Sequence, residues 1–390
     1  MKEAQNYLAR INPDRMRDTL WRLVSIPSPT GREREAAAAF ADLLSQAGAD
    51  VQIDSTLPNS PSVIGRLRGD RPGPVLQLAG HLDHIDIPHE APKKESDRIS
   101  GRGSADMKNG LTGIVEIIHI LHESGCRFPG QILVTAYGLH EAPHGDSAGL
   151  NHLLRQGVKG QAALVFEGPC DGAAVMANGM AIWNLTLCHK EPPCHELCTQ
   201  RETFELMEAA ANTIEALAVK NQQLKKQPKP YPLLPPESVF VGQMHCGDFY
   251  NRLSASCFMQ GTRRWNPGKT FSTIQEDFRL LLKSLSLPPV ISAECSWMLV
   301  GDSYALDGEE KIVQCLRQAF EDLHQKPLPL KGHSSVTDVC RLVNSGKIPA
   351  VLWGFGTDTG HADYEYVAYE QLVRSCRVAL LTVLYYLHRS

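Results

Sequence analysis

Apolar positions fall at helical spacing over residues 15–23 and 33–47, and Gly48 follows the second run where a C-terminal cap is expected. Short apolar runs at 63–67 and 75–80 read as strands, 109–121 as an amphipathic helix and 131–137 as a buried strand. Such alternation predicts an α/β layer on a largely parallel sheet, whose ligands sit in the loops at the carboxyl ends of the strands. The character changes near Asn178. From there to about Val300 the chain reads strand, helix, strand, helix, strand, with the helices at 203–217 and 273–285. The run KNQQLKKQPKPYPLLPPES between helix and strand, rich in Lys, Gln and Pro, reads as a solvated loop. The α/β alternation then returns and ends in a helix over 370–387. The expected organisation is one domain made of 1–178 and 301–390, interrupted by a smaller domain over 179–300.

Composition changes this picture little. A chain of 390 residues exceeds one ordinary domain, and 43% hydrophobic with 21% charged residues suits a globular protein with a sizeable core. A formal charge of −4 offers no basic surface for nucleic acid or an anionic membrane. The opening MKEAQNYLARINPDRMRD lacks the apolar centre of a secretory signal, and no apolar stretch nears the roughly 20 residues that span a bilayer. Eleven cysteines without regular spacing suggest free thiols in a reducing compartment, so the cytoplasm is the expected location.

The candidate chemistry lies where the strands end. In GHLDHIDIP, His81 and Asp83 follow a strand directly, and an Asp two residues from a His can orient its imidazole as a metal ligand. In GRGSADMKNG, Asp106 stands just before a helix, as a carboxylate able to bridge two cations or as an ordinary N-cap. In LHEAPHGD, His140 and Glu141 are adjacent and His144 is close behind. Glu167 ends another apolar strand, and His361 sits in GFGTDTGHADYEYV beside Gly354, Gly356 and Gly360. Acid and imidazole groups at five successive strand ends are hard to explain as solvated surface. Their mixed oxygen and nitrogen donors suit zinc, manganese or cobalt.

These motifs resemble the metallopeptidase family of acetylornithine deacetylase, succinyl-diaminopimelate desuccinylase, aminoacylase and glutamate carboxypeptidase. That family shows GHxDxVP, then GRGxxDMKG, a paired DEE, a GEP or D and a final His before an acidic residue, in the order found here. The resemblance implies a mainly parallel-sheet, zinc-aminopeptidase-like catalytic domain with an inserted α+β, ferredoxin-like lid that dimerises. It implies two divalent metals, most readily zinc, held by His81, Asp106, Glu141, Glu167 and His361, with Asp106 bridging. It further implies hydrolysis of an amide or peptide bond in an N-acyl amino acid or short peptide, by a water held between the metals.

One departure matters. The family's general base is the first Glu of its pair, and here that position is His140. Three readings follow: His140 as the base, Glu141 taking over that role, or a catalytically impaired protein that keeps the pocket and binds ligand. Asn109 stands where the family has Gly, which adjusts the helix start. In the insert, His195 of PPCHEL matches a lid His that supports the developing oxyanion in the partner's site, against a plain reading as an exposed loop His. Cys188, His189, Cys194, His195 and Cys198 invite a zinc-finger reading, but their spacing fits no two-by-two pattern. Asn251 and Arg264 match substrate-holding residues, with Arg263 the alternative clamp and a surface ion pair the plain reading. By the same resemblance Gly354 and Gly356 offer backbone contacts to substrate, and Asp338 in GHSSVTD is structural.

Overall fold

A computed structural model describes residues 2–168, 170–197, 201–356 and 359–389. It separates into two units: 1–175 with 306–331 and 337–390, and 176–305 with 332–336.

The sheet of the larger unit runs in the order Asp50–Asp54, Ser62–Arg68, Pro129–Tyr137, Arg71–His81, Ala162–Val165, Ala350–Leu352, Ala173–Ala177. Its four central strands, from Pro129–Tyr137 to Ala350–Leu352, are parallel to one another, and the flanking pairs are antiparallel. The central strands are buried almost throughout toward their carboxyl ends, as strands covered on both faces must be. All four therefore deliver the loops that follow them to one edge of the sheet.

The helices begin and end for local reasons. Asn12 caps Pro13–Val24 by accepting from the amides of Asp14 and Arg15, with Pro13 in the first turn where its missing N–H costs nothing. Arg34–Gln46 stops at Gly48, whose φ of +100° is the left-handed geometry the C-terminal cap needs. Lys108–Glu123 is buried along nearly its whole length and packs against Pro13–Val24, Arg34–Gln46 and the terminal helix Tyr369–His388. An unforeseen helix, Lys2–Leu8, precedes these.

The smaller unit has a four-stranded antiparallel sheet in the order Ser238–Cys246, Ser256–Trp265, Gly179–His189, Ile291–Gly301, with helices Glu205–Lys226 and Phe271–Ser284. This is the ferredoxin-like order, with a hairpin where the pattern suggested a single strand. Burial alternates strictly along Gly179–His189, and Trp183, Leu185 and Leu187 meet Leu206, Leu217 and Phe278 in the core. The expected loop beginning at Lys220 is corrected in part. Residues 220–226 continue the helix, because Lys and Gln are good helix formers and Leu224 buries in line with Leu217 two turns before it. Among the described residues no helix is long and apolar enough to cross a membrane, and the ten described cysteines are free thiols.

Candidate metal centre

Each of the four parallel strands contributes to one cluster. His81 is the last residue of Arg71–His81. His140 and Glu141 follow Pro129–Tyr137, Glu167 follows Ala162–Val165, and the loop after Ala350–Leu352 leads to His361. Asp106 joins them from the loop before Lys108–Glu123. It does not cap that helix, whose N-cap is Met107 with no side-chain hydrogen bond. Its two oxygens instead face two imidazoles, Oδ1 at 3.2 Å from His81 Nε2 and Oδ2 at 3.4 Å from His361 Nε2. His361 Nε2 also lies 3.0 Å from Glu141 Oε1. His81, Asp106 and Glu141 thus bring one ligand atom each to within 4.8 Å of one another, and so do His81, His140 and Glu167.

Buried partners hold these groups in place. The backbone oxygen of Asp83 accepts from His81 Nδ1 at 3.0 Å, while its carboxylate Oδ2 accepts the amide of Glu141 at 2.8 Å. Asp83 therefore orients two neighbours from beneath. His140 stacks on His81 with ring centroids 4.1 Å apart and planes within 5°, and its Nδ1 lies 3.0 Å from Asp338 Oδ2. His144 stays outside the cluster, exposed.

Two buried glutamates were missed by the sequence reading. Glu365 accepts from the amides of Gly103, Ala105 and Asp106 and from the Arg102 guanidinium, all at 2.9–3.1 Å, so it shapes the loop that presents Asp106. Its signal was the acidic residue after the final His. Glu33 accepts from the amides of Gly31 and Leu139 and holds Leu139, at φ +62°, in the left-handed conformation that precedes His140. No local motif marks Glu33.

The electrostatics fit a cation site. Burial raises the Glu167 carboxyl to about 7 against the attraction of His140, and among the described residues its Oε2 has no hydrogen-bond partner. Burial opposes ionisation of Asp106 too, but its hydrogen bonds to His361 and His81 hold its carboxyl well below the usual range. Hydrogen bonds to Asp106 and Glu141 raise His361 to about 10. Burial lowers His140, yet Asp338 and Glu167 outweigh it and raise the imidazole to about 10. Buried carboxylates that can be satisfied only by protonated imidazoles are a donor set that divalent cations complete, with release of those protons.

The remaining expected residues lie elsewhere. Gly356 packs against the loop before Asp106, and a Cβ there would meet Asn109 Nδ2 at 2.5 Å. Asn109 itself donates to Ala105 O at 3.0 Å, so it braces the helix start. Gly354 is buried in the same segment. Within the smaller unit, His195 is exposed, and its Nε2 meets Asn251 Nδ2 at 3.0 Å. Arg264 donates to Ser334 O at 2.9 Å. The alternative clamp, Arg263, is buried in an ion pair with Glu237 at 2.7 Å. Cys188, His189, Cys194 and His195 form no metal-ligand cluster among the described residues, and Cys198 lies outside them.

A family model described as peptidase family M20/M25/M40 matches residues 77–385. Among curated proteins, a succinyl-diaminopimelate desuccinylase of Methylobacterium nodulans is 33% identical over 132 residues, 31% of this chain and 33% of that one. An N-formyl-4-amino-5-aminomethyl-2-methylpyrimidine deformylase of Halalkalibacterium halodurans is 23% identical across 93% of this chain and 92% of its own. The chain covers only about a quarter to a third of several other curated relatives (26%, 28% and 36%). Among solved structures, a tripeptidase from Staphylococcus aureus superposes with a TM-score of 0.80 at 17% identity, covering 97% of this chain and 100% of that one. That likeness establishes the fold.

Proposed function

The chain belongs to peptidase family M20/M25/M40, a family of metal-dependent amide and peptide hydrolases, and on that premise we propose that it cleaves an amide or peptide bond in an N-acyl amino acid or short peptide. The observation that carries this reading is the meeting of His81, Asp106, Glu141, Glu167 and His361 at the ends of adjacent parallel strands. We assign His81 and Glu167 to one divalent cation, Glu141 and His361 to the other, and Asp106 to both, since its two oxygens face the two imidazoles separately. Mixed nitrogen and oxygen donors favour zinc, with cobalt or manganese as alternatives. When bound, the two cations would lower the pKa of a water and polarise the scissile carbonyl.

The protein's own part is to aim groups and move a proton. His140 comes near enough to His81 and Glu167 to share one ion with them. Its ring orientation weighs against that. An imidazole lone pair lies in the ring plane, so parallel rings 4.1 Å apart direct their nitrogens along parallel lines, not to one point. We therefore assign His140 Nε2 as the proton acceptor beside the metal ligands, in reach of the attacking water. Asp83 keeps His81 and Glu141 in position. His195, Asn251 and Arg264 are assigned to substrate contact, and Gly354 and Gly356 to backbone contact, by resemblance, as is dimerisation through the smaller unit. We place the protein in the cytoplasm, where its free thiols would stay reduced.

His140 also favours a second reading, a metal-dependent binding protein without the usual glutamate base. Metal analysis followed by turnover of N-acyl amino acids and short peptides separates the two. The hydrolase reading expects two equivalents of divalent metal and turnover of at least one substrate, with a loss of about 10²-fold or more in His140→Ala. Metal bound with turnover of none would establish the binder. Intact turnover in His140→Ala would remove His140 from the proton transfer.

A further inference from the structure

We propose that Asp338 is the positioning residue of this site, holding His140 with its proton on Nδ1 so that Nε2 is left free to accept another. The inference rests on the reading of His140 as proton acceptor, and it replaces a lone carboxylate by a histidine–aspartate pair.

Asp338 is completely buried, at the start of the short helix Val339–Asn344, and makes no capping hydrogen bond there. Its two oxygens are divided between different partners. Oδ1 accepts from Ser147 Oγ at 2.6 Å. Oδ2 lies 3.0 Å from His140 Nδ1, and among the described residues neither of these atoms has a hydrogen-bond partner elsewhere. Buried polar atoms without partners are costly, and Asp338 is the carboxylate facing both His140 Nδ1, 3.0 Å away, and the buried Tyr137 hydroxyl, so it can accept from each. The opposite nitrogen, Nε2, faces Glu167 Oε1 at 3.9 Å, on the metal-ligand side.

Other contacts restrict what the ring can do. The stack on His81 sets its plane, and Glu33 fixes the backbone at Leu139 just before it. What remains is the choice of tautomer. An ionised carboxylate only accepts, so Asp338 selects the Nδ1–H form. A glutamate at position 140 would instead bring a second anion toward Asp338, a repulsive contact. The histidine offers this buried aspartate a donor, which an ionised carboxylate lacks.

In the reaction this allows, the water oxygen bonds to the carbonyl carbon while its proton passes to His140 Nε2. The imidazolium so formed is stabilised by Asp338, which keeps its own charge. That proton then goes to the amine nitrogen as the carbon–nitrogen bond breaks, leaving an amine and a carboxylic acid, which gives up the water's second proton to solvent and departs as a carboxylate.

The test uses the metal-loaded protein labelled with ¹⁵N-histidine. NMR of wild type should show His140, assigned by its loss in His140→Gln, protonated at Nδ1 and bare at Nε2. Asp338→Asn should shift that tautomer and lower kcat by about 10²–10⁴-fold, with KM and metal content little changed. In a His140→Glu background the same substitution should cost less than about threefold, since its partner is gone. Equal losses in both backgrounds would overturn the proposal, as a purely structural role predicts them. A wild-type His140 protonated at Nε2 and bare at Nδ1 would overturn it with no variant needed. If wild type hydrolyses nothing, the hydrolase reading fails while the tautomer still decides the role of Asp338.

Discussion

The two units use buried charge for different ends. In the smaller one, Glu237 is enclosed by Arg263 and Lys269 at 2.7 and 2.6 Å, a closed set with both carboxylate oxygens matched. Its candidate substrate residues, exposed His195 and half-buried Asn251, are paired with each other. In the larger unit the buried groups are the candidate chemistry, and among the described residues several have no hydrogen-bond partner: Glu167 Oε2, Asp83 Oδ1, His140 Nδ1 and Asp338 Oδ2. Burial alone therefore does not mark a functional site. Buried carboxylates and imidazoles whose ligand atoms converge within 4.8 Å do.

The largest effect that would sharpen this contrast is expected at Arg263. Removing it in Arg263→Ala leaves Glu237 buried with Lys269 as its cation and should cost about 3 kcal/mol in urea unfolding, with metal content and kcat retained. Lost metal instead would break the division between the units.

A pH effect of similar size is expected at His84. Its Nε2 accepts the Ser28 amide and its Nδ1 donates to Ile85 O, a neutral arrangement, and burial lowers the imidazole to about 4. The folded value lies below the unfolded one near 6.5, so between them the unfolded chain binds more protons. Stability should then fall as pH drops from about 6.5 to about 4, by on the order of 3 kcal/mol from this group. Urea midpoints across that range should be less steep in His84→Gln than in wild type. Parallel curves would remove His84 as a source.

Smaller again is Glu365→Gln, which replaces a carboxylate accepting four donors by an amide that cannot match them all. Metal affinity should fall by about 10–100-fold in a titration with zinc. Arg264→Ala closes the series. Its stability should stay within about 0.5 kcal/mol of wild type, while KM rises for a carboxylate-bearing substrate. An unchanged KM would leave Arg264 without a part in binding.

What could be read in advance followed from local order. His81, His140, Glu141 and Glu167 stand at or just after apolar runs, so a strand and its loop are visible in one stretch of sequence. The parallel register then brings them together without further information. The helix through Lys226 was harder, because a polar composition hid the heptad spacing of Leu217 and Leu224. The supporting residues were least legible. Glu33 acts on Leu139 at a separation of 106 positions, and Asp338 reaches Ser147 across 191, distances over which no periodicity speaks. Asp338 was visible as a residue but not as the neighbour of His140, since that contact exists only once the sheet has formed.

The contact between Glu365 and the amide of Asp106 spans 259 positions, with the whole smaller unit in between. On the ribosome the loop that presents Asp106 therefore emerges long before the residue that shapes it. At about 5–20 residues per second, the interval is on the order of tens of seconds. For most of it, once Glu167 has been added, His81, Asp106, Glu141 and Glu167 have been made but His361 and Glu365 have not. The nascent chain thus carries part of the candidate site, and the stretch from His361 to Glu365 brings its remaining groups.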